Sequence, residues 1–193
     1  MTHEERQRVL AGRMKNRLPW HAPPHFEYVG NITFLVSAAC YEHASIIGVT
    51  SSRMADFEIQ LLQTCREFET QLFAWCVLPN HYHLLIRTDQ IATFRKTLGL
   101  LHGRTSYLWN KEENRQGRQV WYRCFERPMQ SDGHFWASVN YIHHNPVRHG
   151  YVNRWQDWPY SSATQFLERI GREKAIELWN KYPLLDYGDK WDE

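Results

Sequence analysis

Two apolar, β-rich runs separated by only two residues constrain this chain more than any other feature. Leu72 to Leu78 reads L-F-A-W-C-V-L and His81 to Arg87 reads H-Y-H-L-L-I-R, with Pro79 and Asn80 between them. A parallel crossover needs a dozen residues or more, so this link predicts an antiparallel hairpin. Upstream, Ile32 to Ala39 predicts a buried strand. Ser51-Ser52 offers an N-cap for a helix over 52–70, where Phe57, Leu61, Cys65 and Phe68 recur at spacings of four and three. Downstream, a helix is expected over about 90–110 and a strand or extended arm over Gln119 to Phe125. A last helix should run from the cap Ser131-Asp132 to Asn145, stopped by Pro146. The order β-α-β-β-α-β plus a late helix predicts an α+β, ferredoxin-like sandwich, an antiparallel sheet with helices on one face.

At 193 residues the chain suits one domain with extensions. The expected organisation is an N-terminal extension over 1–27, a core domain over 28–166 and an acidic tail over 167–193. Residues 1–30 read as a polar, helix-like lead and then a loop, because Pro19, Pro23 and Pro24 break any regular element. No run of 18 apolar residues exists, so no membrane span is expected, and the charged N-terminus lacks the apolar segment of a secretory signal. A cytoplasmic location follows as the expectation. Cys40, Cys65, Cys76 and Cys124 contain no C-x-x-C pair, which predicts free thiols rather than a disulfide framework or cysteine zinc site.

The net charge of +2 says little, but its distribution says more. Residues 87–127 hold nine Lys or Arg against four Asp or Glu, whereas 156–193 hold five against eight. Rings interleave with the basic stretch: Tyr107, Trp109, Trp121, Tyr122 and Phe125 lie among Arg104, Lys111, Arg115, Arg118 and Arg123. Rings can stack on unpaired bases while guanidinium groups hold phosphates, so Arg104, Lys111, Arg115, Arg118, Trp121 and Arg123 are candidate DNA-binding residues. Core rings beneath solvated charges would give the same pattern.

Strand alternation puts His81 and His83 on one face, about 7 Å apart from two rises of ~3.4 Å, with Tyr82 in the opposite layer. Imidazoles so placed can lean onto one metal ion, although two histidines of a half-exposed strand read the same. In the late helix, Phe135, Trp136, Val139 and Ile142 share an apolar arc. Tyr141 and Asn145, four residues apart, lie together outside it on the expected surface. His143 and His144 read as polar residues of the helix end.

These features coincide in one resemblance. Trp75 to Ile86, W-C-V-L-P-N-H-Y-H-L-L-I, closely resembles the W-x-V-h-P-N-H-x-H block of the single-tyrosine HUH transposases. Tyr141 to Tyr151, Y-I-H-H-N-P-V-R-H-G-Y, resembles the Y-I-H-x-N-P-V block of their REP-associated branch, the REP-associated tyrosine transposases. Val120-Trp121-Tyr122 and Phe125-Glu126-Arg127 are similar to the segment between those blocks, and Trp158-Pro159-Tyr160-Ser161-Ser162 to a downstream W-P-x-S-S. The resemblance spans about 28 to 166.

The resemblance implies a ferredoxin-like core that binds single-stranded DNA bearing hairpins and cuts it with a tyrosine. By position, His81, His83 and Asn145 are then ligands of Mg²⁺ or Mn²⁺, and Tyr141 is the nucleophile. The implied partner is hairpin-forming DNA of REP type, with no membrane, and the protein is a monomer or homodimer whose site is built in cis or in trans. A tyrosine hydroxyl titrates near ~10, so it must surrender its proton to attack. Two alternatives stand beside this: a hairpin-binding relic that no longer cuts, and a zinc hydrolase, which needs a third His or a carboxylate.

Overall fold

In the computed structural model, which describes residues 30–185, 187 and 188, the hairpin forms as its short link requires. Strands β2 (Gln71–Val77) and β3 (His81–Thr88) pair antiparallel, with Cys76 opposite His83 and Val77 opposite Tyr82. The Leu78 N–H closes the turn on the His81 carbonyl at 2.8 Å. β1 (Ile32–Cys40) lies against the other side of β3, and β4 (Trp121–Pro128) against β1, giving the antiparallel order β2-β3-β1-β4. The expected lead and N-terminal extension over 1–27 fall outside the described residues.

Helices α1 (Ser51–Glu67) and α2 (Ile91–Glu112) cover one face of the sheet. Tyr82 marks that face: its ring lies 5.6 Å from Phe57 of α1, and its hydroxyl meets His102 Nε2 of α2 at 3.0 Å. This is the ferredoxin-like α+β sandwich expected. Helix α3 (Asp132–Arg148) crosses the opposite face, the one that carries His81 and His83. Over it pack α4 (Ala163–Ile170) and α5 (Arg172–Lys181), with Phe166, Ala175 and Leu178 joining the core.

Several boundaries differ from the sequence expectation for local reasons. The cap of α1 is Thr50, whose hydroxyl accepts the Arg53 N–H at 3.1 Å. Ser131 caps α3 as expected, accepting the His134 N–H at 3.1 Å. Pro146 does not stop α3, which continues to Arg148. In a final turn the missing N–H removes only one bond, and Asn145 and Pro146 are both buried there. The expected core boundary at 166 falls inside α4, because the charges of 156–193 decorate helices whose inner positions are apolar.

All four cysteines are free. Burial pushes the Cys40, Cys65 and Cys124 thiols up to about 12, which leaves them protonated and inert. Among the described residues no helix is long and apolar enough to cross a membrane.

Candidate active site

Alternation along β3 directs His81 and His83 toward α3, and α3 turns Asn145 back toward them. The two rings stand 5.0 Å apart between centroids, closer than the backbone spacing, so they lean inward. His81 Nε2 lies 3.2 Å from Asn145 Oδ1, and His83 Nε2 lies 3.3 Å from Asn145 Nδ2. Each outer ring nitrogen is held in turn: His81 Nδ1 by Asn80 Oδ1 at 2.7 Å, His83 Nδ1 by Ser37 Oγ at 2.6 Å. All three inner side chains are at most 2% exposed.

This donor set suits a divalent cation. The two imidazole Nε2 atoms face the Asn145 side-chain amide, His81 against its oxygen and His83 against its nitrogen, and both imidazoles are oriented from behind, as ligating histidines are. Among the described residues no group of three His, Cys, Asp or Glu could hold a metal, so a cation held by His81 and His83 would take its third donor from the Asn145 amide. The His149 ring also stands 5.0 Å from that of His81, yet among the described residues it does not complete the group of three that a zinc hydrolase needs.

Tyr141 sits one helical turn before Asn145, its ring 5.1 Å from that of His83. All four residues therefore meet within one chain. The expectation of a surface tyrosine is corrected: Tyr141 is 1% exposed. The later chain covers it, with the Tyr187 ring 5.9 Å away and Gly188 packed directly on its ring. Tyr187 is anchored by a hydrogen bond between its hydroxyl and Ser138 Oγ at 2.5 Å. Burial pushes the Tyr187 hydroxyl upward, while its bond to Ser138 and the Arg127 charge oppose that shift.

Three features escaped the sequence reading. Asn80 entered as turn punctuation, yet it grips His81. Arg127 stands opposite Leu35 on the histidine face; burial lowers its pKa, and the nearby Tyr187 and Tyr141 raise it. Alternation from β1 through β4 would have placed it there. His143 is no helix-end residue: it is fully buried, its Nε2 2.9 Å from Ser162 Oγ and its ring stacked on Trp155. Ser162 also accepts the Trp75 N–H at 2.9 Å, which ties α3 to β2 through the W-P-Y-S-S segment.

The candidate DNA-binding residues divide. Trp121 is corrected to a core ring, 7% exposed, stacked at 4.2 Å on His102 and donating Nε1–H to Thr105 Oγ1. Arg118 is committed to Glu113 at 2.7 Å and to Asn110 at 2.9 Å. Arg104, Lys111, Arg115 and Arg123 are exposed. Arg104 and Lys111 share the outer face of α2 with Leu100, 76% exposed, and Tyr107, 67% exposed.

Comparison with known proteins places the chain in a family. The family described as "Transposase IS200 like" matches residues 35–145, from β1 to Asn145 in α3. A Haemophilus influenzae protein assigned to the REP-associated tyrosine transposases is 31% identical over 140 residues, covering 67% of this chain and 78% of that protein. The REP-associated tyrosine transposase of Escherichia coli is 26% identical over 137 residues, covering 70% and 78%. A solved structure of a REP-associated tyrosine transposase bound to a REP hairpin superposes with a TM-score of 0.60 at 18% identity, covering 77% of this chain and 87% of that one, which establishes the shared fold.

Proposed function

This chain belongs to the IS200-like transposase family, with REP-associated tyrosine transposases among its relatives, and from that membership we propose that it cuts and rejoins single-stranded DNA at hairpin-forming elements. One observation carries the reading furthest: His81, His83 and Asn145 converge within 3.3 Å while the Tyr141 ring stands 5.1 Å from His83.

In this reading Tyr141 Oη attacks the scissile phosphorus. A Tyr–O–P bond forms, the bond from phosphorus to the 3′ oxygen breaks, the tyrosine proton passes to solvent and the leaving oxygen takes one up. The products are a 5′-phosphotyrosyl protein and a free 3′-OH. The phosphodiester energy is kept, so a second 3′-OH can reverse the step and join new ends without ATP. Asn145 and Tyr141, one turn apart on one rigid helix, keep the cation site and the nucleophile in fixed register. Bound by His81, His83 and Asn145, Mg²⁺ or Mn²⁺ would stabilise the charge that develops on the phosphoryl oxygens, with Mn²⁺ favoured by the imidazoles. Arg104, Lys111, Arg115 and Arg123 supply exposed charge for the phosphates of a stem.

A second reading, a hairpin-binding protein that no longer cuts, is favoured by one fact: Tyr141 is covered. Both readings are tested by presenting one sequence as a single strand with its stem, as an annealed duplex and as a single strand with the stem scrambled. Cutting of the first form alone is expected. Equal cutting of the duplex would overturn the proposal, and binding without any cutting would establish the second reading.

A further inference from the structure

We propose that the rings of Tyr41 and Tyr122 form a stacking platform for the unpaired bases beside the hairpin stem, with Arg123 holding the adjoining phosphate. The inference rests on the reading of the chain as a protein of hairpin DNA, and adds where the single-stranded flank lies.

The position follows from the sheet. Ala39 pairs directly with His81 and Ser37 with His83, so these two small residues share the histidine face. Helix α3 packs over β2 and β3 on that face, as in the contact of Phe135 with Phe73, and Ser37 and Ala39 are left only half-buried. On the far side of β1, Ala38 pairs with Cys124 and Cys40 with Trp121, which sets two residues of β4, Tyr122 and Arg123, opposite Ala39 alone. This is a β-bulge, a device that re-aims side chains and recurs beside active sites. Trp121 and Cys124, at its two ends, both turn toward the helices, so the bulge sends Tyr122 and Arg123 the other way, onto the row of Ala39 and His81. Two strand spacings of ~4.8 Å put it about 10 Å from His81.

Tyr41 and Tyr122 are both exposed, and their ring centroids lie 6.3 Å apart with the planes tilted by 38°. Tyr41 is fixed on both sides. Its N–H donates to the Val120 carbonyl at 2.8 Å, and the next two residues, Glu42 and His43, take φ of 53° and 51°, so the chain leaves the sheet at once. Two exposed rings held in this way offer π-faces on which any base can stack. The charge fits the same occupant. Along β4 the anion Glu126 turns to the helix side and pairs with Arg95, while Arg123 is exposed at the bulge and Arg127 stands on the histidine face. Against the exposed Glu42 of the neighbouring turn, the strand thus presents two guanidinium groups, which suits a phosphate backbone. Arg123, one of the exposed charges for the stem, then stands where the stem meets its flank.

The test measures binding in EDTA, so that cutting plays no part, on three DNAs: a stem with an unpaired flank, the stem alone, and the stem with an abasic flank. The wild type should bind the first about 5- to 150-fold more tightly than the other two. Tyr41→Ala with Tyr122→Ala should lose that advantage and keep the affinity for the stem, whereas Tyr41→Phe with Tyr122→Phe should retain both. A second measurement needs no variant: 5-iodouracil placed in the flank should photocrosslink the wild type at Tyr41 or Tyr122. Equal wild-type affinity for the first two DNAs, an advantage that survives in the alanine pair, an equal loss for the stem alone, or crosslinks confined to other residues would overturn the proposal and leave the cutting reading as it stands. A flank advantage that depends on the rings, in a protein that never cuts with Mn²⁺, would refute the cutting reading and leave the platform in place.

Discussion

Gly188 lies on the ring of Tyr141 so closely that a Cβ there would fall inside the van der Waals envelope of the ring edge. Gly188 also has φ of +80°, which a side-chain-bearing residue adopts only with strain. If Tyr141 attacks a phosphate, this contact must open. Gly188→Ala should therefore loosen the cover and leave the core intact. The expected outcome is faster nitration of Tyr141 and a severalfold faster first cleavage on hairpin DNA, with an unchanged far-UV spectrum. An unchanged rate with a loosened cover would mean that phosphate reaches Tyr141 by another path.

Converging donors imply a shared dependence. His81→Ala with His83→Ala should abolish cleavage, as should EDTA, while hairpin affinity falls only modestly because phosphate contacts supply most of it. Gel shift and cleavage assays on the same preparation separate the two effects. Full cleavage in EDTA would remove the cation from the mechanism.

The hairpin, the late helix and the His81/His83 pair were legible because each follows from spacing: a two-residue link, a 3.6-residue stripe, a two-residue alternation. Tyr141 was legible as a chemical candidate but not in its surroundings. Helical periodicity reveals one apolar arc, and here α3 is buried on a second side by Tyr187, Gly188 and Phe166 from distant sequence. Trp121 failed for the opposite reason. Interleaving with arginines cannot tell a stacking platform from a ring whose neighbours in sequence point outward.

His102 provides a pH test of the core. Burial lowers its pKa to about 4, below the unfolded value of 6.5, so the unfolded chain binds a proton in that interval and the folded one does not. Its contribution is full above 6.5 and is lost as pH falls from 6.5 toward 4. The slope is at most about 1.4 kcal/mol per pH unit. Urea midpoints measured at stepped pH should show this loss, and His102→Gln should flatten it. An equal slope in the variant would assign the acid sensitivity elsewhere.

Trp121 and the outer face of α2 should separate in their effects. Trp121→Ala removes a buried ring and should cost about 3–5 kcal/mol of stability. Arg104→Ala and Lys111→Ala should leave stability alone and each reduce the slope of log affinity against log salt by about 0.7–0.9. Unchanged salt slopes in both variants would move the stem contact off this helix.

The central claim is that Tyr141 is the nucleophile, and Tyr141→Phe removes only its attacking oxygen. Hairpin single strands labelled on either side of the cut are incubated with Mn²⁺, and the protein is then resolved in SDS. The wild type should carry the label that lies on the 3′ side of the cut, bound through a 5′ phosphate, and the variant should carry none while shifting the hairpin equally. An SDS-stable adduct of undiminished yield in Tyr141→Phe would contradict the assignment.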